Sequence, residues 1–185
     1  MVDKMMPAAR PQQTREETAA ILVAHGVTDG FGLLGVRGYY LKTMGDATKN
    51  DRGIYDDAIF ILTPTAFQAF NANVDPSITR PGIATLKPGK YLYKLGIHGL
   101  SRPKDKQYRA LVQASEVVVW RDGKAEDHGW IGLNLHKGSR NSTSSEGCQT
   151  IVPDQWEGFI ALVAAELELH NRTAIPYVLI ANPAA

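Results

Sequence analysis

The chain has 185 residues, 44% of them hydrophobic, with twenty Lys and Arg against nineteen Asp and Glu, and a single cysteine. That length fits one domain with a sizeable core, and a formal charge of +1 excludes the basic footprint of a nucleic-acid-binding or anionic-membrane-binding protein. A lone cysteine excludes an internal disulfide, so packing must hold the fold.

Met1 to Gln13 carries Lys4 and Arg10 but no apolar segment of the length a secretory signal needs, and is expected to be a loosely ordered arm ahead of one domain at 14–185. The apolar stretches from Ile21 to Ala24 and from Phe159 to Ala165 fall well short of the roughly 20 residues of a membrane span. Thr14-Arg-Glu-Glu17 has the form of a capping box and predicts a helix that Gly26 can terminate. Gly30, Gly32 and Gly35 make the stretch from Gly26 to Gly38 read as a loop, leading into a strand near Val36 to Leu41.

The run Ala58-Ile-Phe-Ile-Leu62, stopped by Thr63-Pro64, reads as a buried strand. More strands are predicted at Tyr91 to Leu95, Arg109 to Gln113, Val117 to Trp120 and Ile131 to Leu135, with turns at Lys87-Pro-Gly89 and Arg121-Asp-Gly123. Trp156, Phe159, Ile160, Val163 and Leu167 recur at helical spacing, with Asp154 and Glu157 as a cap-like start and Asn171 at the end. A last strand is expected from Pro176 to Ala181. The fold class is therefore α+β: a mostly-β core with an N-terminal helix and a C-terminal helix packed on the sheet.

Chemistry concentrates in Asn134-Leu-His136-Lys-Gly138 and Thr143-Ser-Ser145-Glu-Gly147-Cys148-Gln-Thr150. A histidine closing a strand, followed by small polar residues, predicts a loop that folds back and brings Cys148 beside His136. An imidazole within reach of a thiol removes its proton and stabilises the thiolate as an ion pair, which makes Cys148 the candidate nucleophile and His136 the general base. Gly147 leaves the approach open, and successive backbone N–H groups around Gly147 and Cys148 can face a developing oxyanion.

These residues resemble the L,D-transpeptidase catalytic domain (the YkuD-like fold), whose signature is a histidine near a glycine, a loop, and Ser/Thr-His/Arg-Gly-Cys. His136, Ser145, Gly147 and Cys148 match that pattern, and the resemblance covers about residues 83 to 152, with Lys87 to Tyr91 similar to the family's turn and strand. Two departures stand out: Glu146 occupies the usual basic position, and the spacing from His136 to Cys148 is shorter than usual, as in phage-borne or effector-like relatives. The resemblance implies a cysteine-dependent enzyme of peptidoglycan stem peptides, with no cofactor, working in the periplasm or at the cell wall. Delivery would then follow another route or cytoplasmic production, because no signal is recognisable. Ser145, Glu146 and Gly147 would support the loop and oxyanion site. Transfer to an amine and hydrolysis by water both remain open.

Other readings compete. His98, between Gly96 and Gly99, Gly138 and Arg37 are candidates for lining the substrate groove. His128 reads as a solvated residue of a hairpin turn. His98, His128, His136 and Cys148 together have the donor types of a zinc site but not the short ligand spacing. Asn50, Asp51, Asp56, Asp57 and Asp75 gather oxygens that could bind Ca²⁺ or a substrate amine, and Arg37 could pair with one of these carboxylates. A wall-binding module that keeps the fold without turnover is the rival from another functional class.

Overall fold

The computed structural model describes residues 5–182. Helix α1 (Arg15–Ala24) is followed by β1 (Gly32–Arg37), β2 (Asp57–Leu62), β3 (Phe67–Asn73), β4 (Ala84–Leu86) and β5 (Gly89–His98). Then come β6 (Tyr108–Gln113), β7 (Val117–Arg121), β8 (Lys124–Gly129), β9 (Leu135–Lys137), β10 (Gln149–Ile151), α2 (Pro153–Leu169) and β11 (Ile175–Ala181). Eight strands close into a barrel in the order β1-β11-β5-β6-β9-β10-β3-β2, and β4-β7-β8 form a separate three-stranded sheet. The α+β class with a helix at either end is as expected.

Strands β1, β2 and β11 are covered on both faces, which explains their continuous apolar sequences. Leu33, Ile59, Ile61, Tyr177 and Leu179 point into the larger core, where α2 adds Trp156, Phe159, Val163 and Leu167. The alternate residues Leu34, Val36, Ala58, Phe60 and Val178 meet Leu22 of α1 in a second core. The Thr14–Glu17 capping box forms as predicted, with both reciprocal bonds present. Thr63 and Thr65, at the β2–β3 turn, donate to the Glu166 carboxylate of α2 and so fix the helix across the barrel.

Several expectations are corrected. The glycine-rich stretch is not a loop before a strand at Val36 to Leu41; it contains β1 itself. Gly35 is there for space, since a Cβ would overlap the Tyr177 ring on the neighbouring strand. The predicted strand from Ile131 to Leu135 is irregular up to β9, because the Gln113 side-chain carbonyl accepts the N–H groups of Gly132 and Leu133 (2.9 and 3.2 Å) that a ladder would use. Helix α2 starts on Val152-Pro153 without a side-chain cap, and Asp154 pairs with Arg140 instead. Met1 to Lys4 lie outside the described residues, but from Met5 onward the arm expected to be loose is tied down. The Met5 carbonyl accepts from Tyr55 N–H (2.8 Å), Arg10 donates to the Ala69 carbonyl (2.9 Å), and Gln12 N–H donates to Tyr39 (2.7 Å). His128 is on β8 and exposed, not in the hairpin turn.

The acidic cluster is internal. Asp57 accepts the N–H groups of Gly38 and Val74 at 2.6 Å each, and Asp75 pairs with Arg37 at 3.0 Å and accepts from the Asn50 amide. Burial pushes the Asp56 carboxyl up to about 7, reinforced by Asp75 and Asp51, and also raises Asp57, with repulsion from Asp56 and Asp75. A carboxyl whose folded pKa lies above its unfolded value stabilises the fold most below about pH 4, and that contribution disappears as pH rises through about 7. The unfolding free energy of the wild type is therefore expected to fall between pH 5 and 8, by no more than about 1.4 kcal/mol per pH unit for this one group, and the melting temperature with it. Asp56→Asn should flatten that fall in thermal melts. Identical slopes for the two proteins would show that Asp56 does not carry the linkage.

Candidate active site

β9 and β10 pair in parallel, with Leu135 opposite Gln149 and His136 opposite Thr150. Extending that register by one residue puts Asn134 opposite Cys148, and alternation along the strands places Asn134, His136, Cys148 and Thr150 on one face. The Asn134 N–H donates to Cys148 Sγ at 3.3 Å, and Gln149 N–H donates to the Asn134 carbonyl at 2.9 Å. A parallel pair usually needs a crossover of about a dozen residues or more, often helical. Here the loop 138–148 makes the crossing without a helix.

Short polar side chains hold this loop. Ser145 Oγ donates to the Cys148 carbonyl (2.6 Å) and accepts the Gly147 N–H (3.0 Å). The Ser145 N–H and carbonyl are both bonded to Ser77, whose hydroxyl also meets Thr143 at 2.6 Å. Tyr55 donates to the Ser139 carbonyl at 2.8 Å. Gly147 has φ +132°, and a Cβ there would sit 2.5 Å from the Ala84 carbonyl oxygen. Glycine is required on both counts.

The thiol is half-buried and opens on a cleft of about 390 Å³. Ile131, Gly132 and Leu133 wall one side and 80–84 the other, with Glu146 at the same opening. Burial pushes the Cys148 thiol up; the Asn134 bond opposes this and the Glu146 charge adds to it. Glu146 points to Arg80, with 3.1 Å between the charged atoms, and both are exposed.

His136 is 4% exposed and does not form part of the cleft wall. Its Nδ1 lies 2.8 Å from the Lys137 carbonyl, which can only accept, so the proton sits on Nδ1 and Nε2 is the basic nitrogen. The Tyr108 hydroxyl is 3.3 Å from the same Nδ1. Burial, then the proximity of His98, holds the His136 pKa down to about 4. The thiolate–imidazolium pair expected from the sequence is therefore not the resting state. Both groups rest neutral, because a low-dielectric pocket penalises each charge.

His98, at the end of β5, stacks on His136 with ring centroids 4.0 Å apart and planes 21° from parallel. The site thus collects Cys148, His136, Ser145, Glu146, Gly147 and His98. It does not collect the other two groove candidates. Arg37 is buried against Asp75 and the Leu86 carbonyl, and Gly138 gives room to the Tyr55 ring. Among the described residues no group of three or more His, Cys, Asp or Glu is placed to hold a metal ion. His128 lies in the other sheet, and no metal-holding group forms among the acidic residues, where Asp57 and Asp75 are engaged in internal bonds while Asn50 Oδ1 and Asp56 Oδ1 are buried without one, which corrects the zinc and Ca²⁺ readings. Asn134, Tyr108 and Arg80 were missed. Asn134 was visible two residues before His136, whereas Tyr108 and Arg80 enter only through strand pairing and the ion pair with Glu146.

Gly147→Ala should lose about 1–3 kcal/mol in urea denaturation from backbone strain alone, plus whatever the collision with Ala84 adds, while Gly132→Ala, where nothing lies within 4 Å, should cost less. Equal losses would mean that the approach of Ala84 does not constrain the loop.

Comparison with protein-family models, with curated proteins and with solved structures gives no match to this chain.

Proposed function

We propose that the protein is a cysteine-dependent acyltransferase or peptidase acting on peptidoglycan stem peptides, with Cys148 as nucleophile and His136 as general base. One observation carries the chemical part of the reading. A thiol at a solvent-open cleft stands one residue ahead of β10, which pairs in parallel with the strand carrying His136, a buried neutral imidazole whose tautomer leaves Nε2 basic. The substrate class rests on the resemblance of the His136 to Cys148 segment to L,D-transpeptidase domains.

The steps follow from that arrangement. As the substrate carbonyl enters the cleft and displaces water, the Cys148 proton passes to His136 Nε2 while sulfur bonds to the carbonyl carbon. The Gly147 N–H is spent on Ser145, which leaves the Cys148 N–H as the backbone donor for the oxyanion beside the thiol. Collapse of the tetrahedral species breaks the C–N bond, His136 returns its proton to the leaving amine, and a thioester remains. An acceptor amine or water then gives up a proton to His136 and attacks that thioester; the C–S bond breaks and His136 returns the proton to the Cys148 sulfur, completing transfer or hydrolysis. His136 suits this shuttle because it starts neutral.

A second reading, a wall-binding module without turnover, draws on the raised Cys148 pKa and on the acidic Glu146 beside it. One experiment separates the two. Wild type, Cys148→Ala and His136→Ala are incubated with purified muropeptides and followed by intact-protein and product mass spectrometry. The enzyme should show an acyl adduct on Cys148 and new product masses, with Cys148→Ala abolishing both and His136→Ala reducing turnover by about 10²-fold or more. Binding without adduct or product in the wild type would favour the module.

A further inference from the structure

Resting on the reading of Cys148 and His136 as nucleophile and base, we infer that His98 is the positioning residue of this site: stacked face to face on His136 and tethered through Asn134, it holds the base in register with the thiol. Three contacts carry this. The two rings are 4.0 Å apart and 21° from parallel, so the His136 plane cannot tilt without losing the stack. His98 Nδ1 is 3.3 Å from the Asn134 amide nitrogen, which can only donate, so this nitrogen accepts and His98 is neutral with its proton on Nε2. The backbone N–H of the same Asn134 donates to Cys148 Sγ. Asn134 therefore joins the stacked ring to the nucleophile.

The surroundings fit a supporting rather than a proton-transferring role. β5 and β6 place His98 opposite Tyr108, with ring centroids 5.3 Å apart, and Tyr108 in turn reaches His136 Nδ1. Arg102, from the loop after β5, adds positive charge near both imidazoles, and on the β9 side Lys137 is paired with Glu157 of α2 at 3.5 Å. Glu146 is turned to Arg80. Arg102 is thus a charge that acts on both imidazoles, and together with burial it disfavours a proton on either ring. Burial and Arg102 hold both rings neutral, His98 adds to this at His136, and the stack fixes the direction of Nε2.

The test uses the full chain and a substrate-independent readout. The pH profile of Cys148 alkylation by iodoacetamide and the NMR titration of the His136 ring are measured for wild type, His98→Ala, His98→Phe and His136→Ala. In the wild type His136 should titrate well below the ordinary 6.5 of a histidine. Removing the second imidazole should raise that midpoint by about one unit or more, a tenfold change in the neutral fraction at acid pH. His98→Phe keeps a flat ring against His136 and should retain more of the alkylation rate at pH 7 than His98→Ala. Should His98→Ala be too unstable to assay, the His98→Phe titration decides alone. Unchanged titration and unchanged alkylation in the His98 variants would overturn the inference. An alkylation rate indifferent to His136→Ala would instead overturn the underlying pair, whatever the His98 variants do.

Discussion

Everything chemical in this protein depends on the short parallel pairing of β9 with β10. Each strand has three residues, so the ladder supplies few hydrogen bonds of its own. Its register nonetheless decides which side chains share a face. A one-residue slip would turn Cys148 away from His136. The surrounding bonds are concentrated where such a slip would begin: Ser145 bridges Gly147 and the Cys148 carbonyl, Ser77 clasps Ser145 from the far side of the loop, and Gln113 occupies the backbone ahead of β9. The loop is stapled by hydroxyl groups because it has no disulfide and no helix to hold it.

Barrel closure supplies the second ingredient. Because β9 lies between β6 and β10, and β6 pairs with β5 on its other edge, His98 and Tyr108 arrive beside His136 from distant parts of the chain. The same closure buries the imidazole, and burial sets its protonation. A half-buried thiol and a buried imidazole each favour the uncharged form, so the arrangement stores a neutral pair rather than an ion pair. Glu146, at the position where a basic residue would lower the thiol pKa, pushes it in the same direction as burial.

The polar interior around Asp57 and Asp75 obeys the same rule with a different outcome. Asp75 takes the ion pair with Arg37, Asp57 accepts the N–H groups of Gly38 and Val74, and Asp56 accepts the Asp51 N–H. Three carboxylates with one buried cation cannot all ionise cheaply, and protons make up the difference. The cluster orders the turn between β1 and β2, since Gly38 N–H donates to Asp57 and Asp51 N–H to Asp56. Its role is in the fold.

Local sequence determined much of this protein. The capping box at Thr14, the apolar run from Ala58 to Leu62, the helical period from Trp156 to Leu167 and the hairpin at Arg121 to Gly123 each carry their structure within a few residues, because caps, periodicity and turn chemistry are short-range. Cys148 and His136 stood out for the same reason: a thiol after glycine and an imidazole at a strand end are legible as residue types. What only the tertiary structure decided depends on pairing between distant segments. That β1 is a strand follows from Tyr177 filling the space over Gly35, and that Ile131 to Asn134 is not one follows from Gln113 taking its hydrogen bonds. Likewise the neutrality of His136, the stacking of His98 and the internal use of Arg37 follow from burial and strand register, which no single stretch of sequence contains.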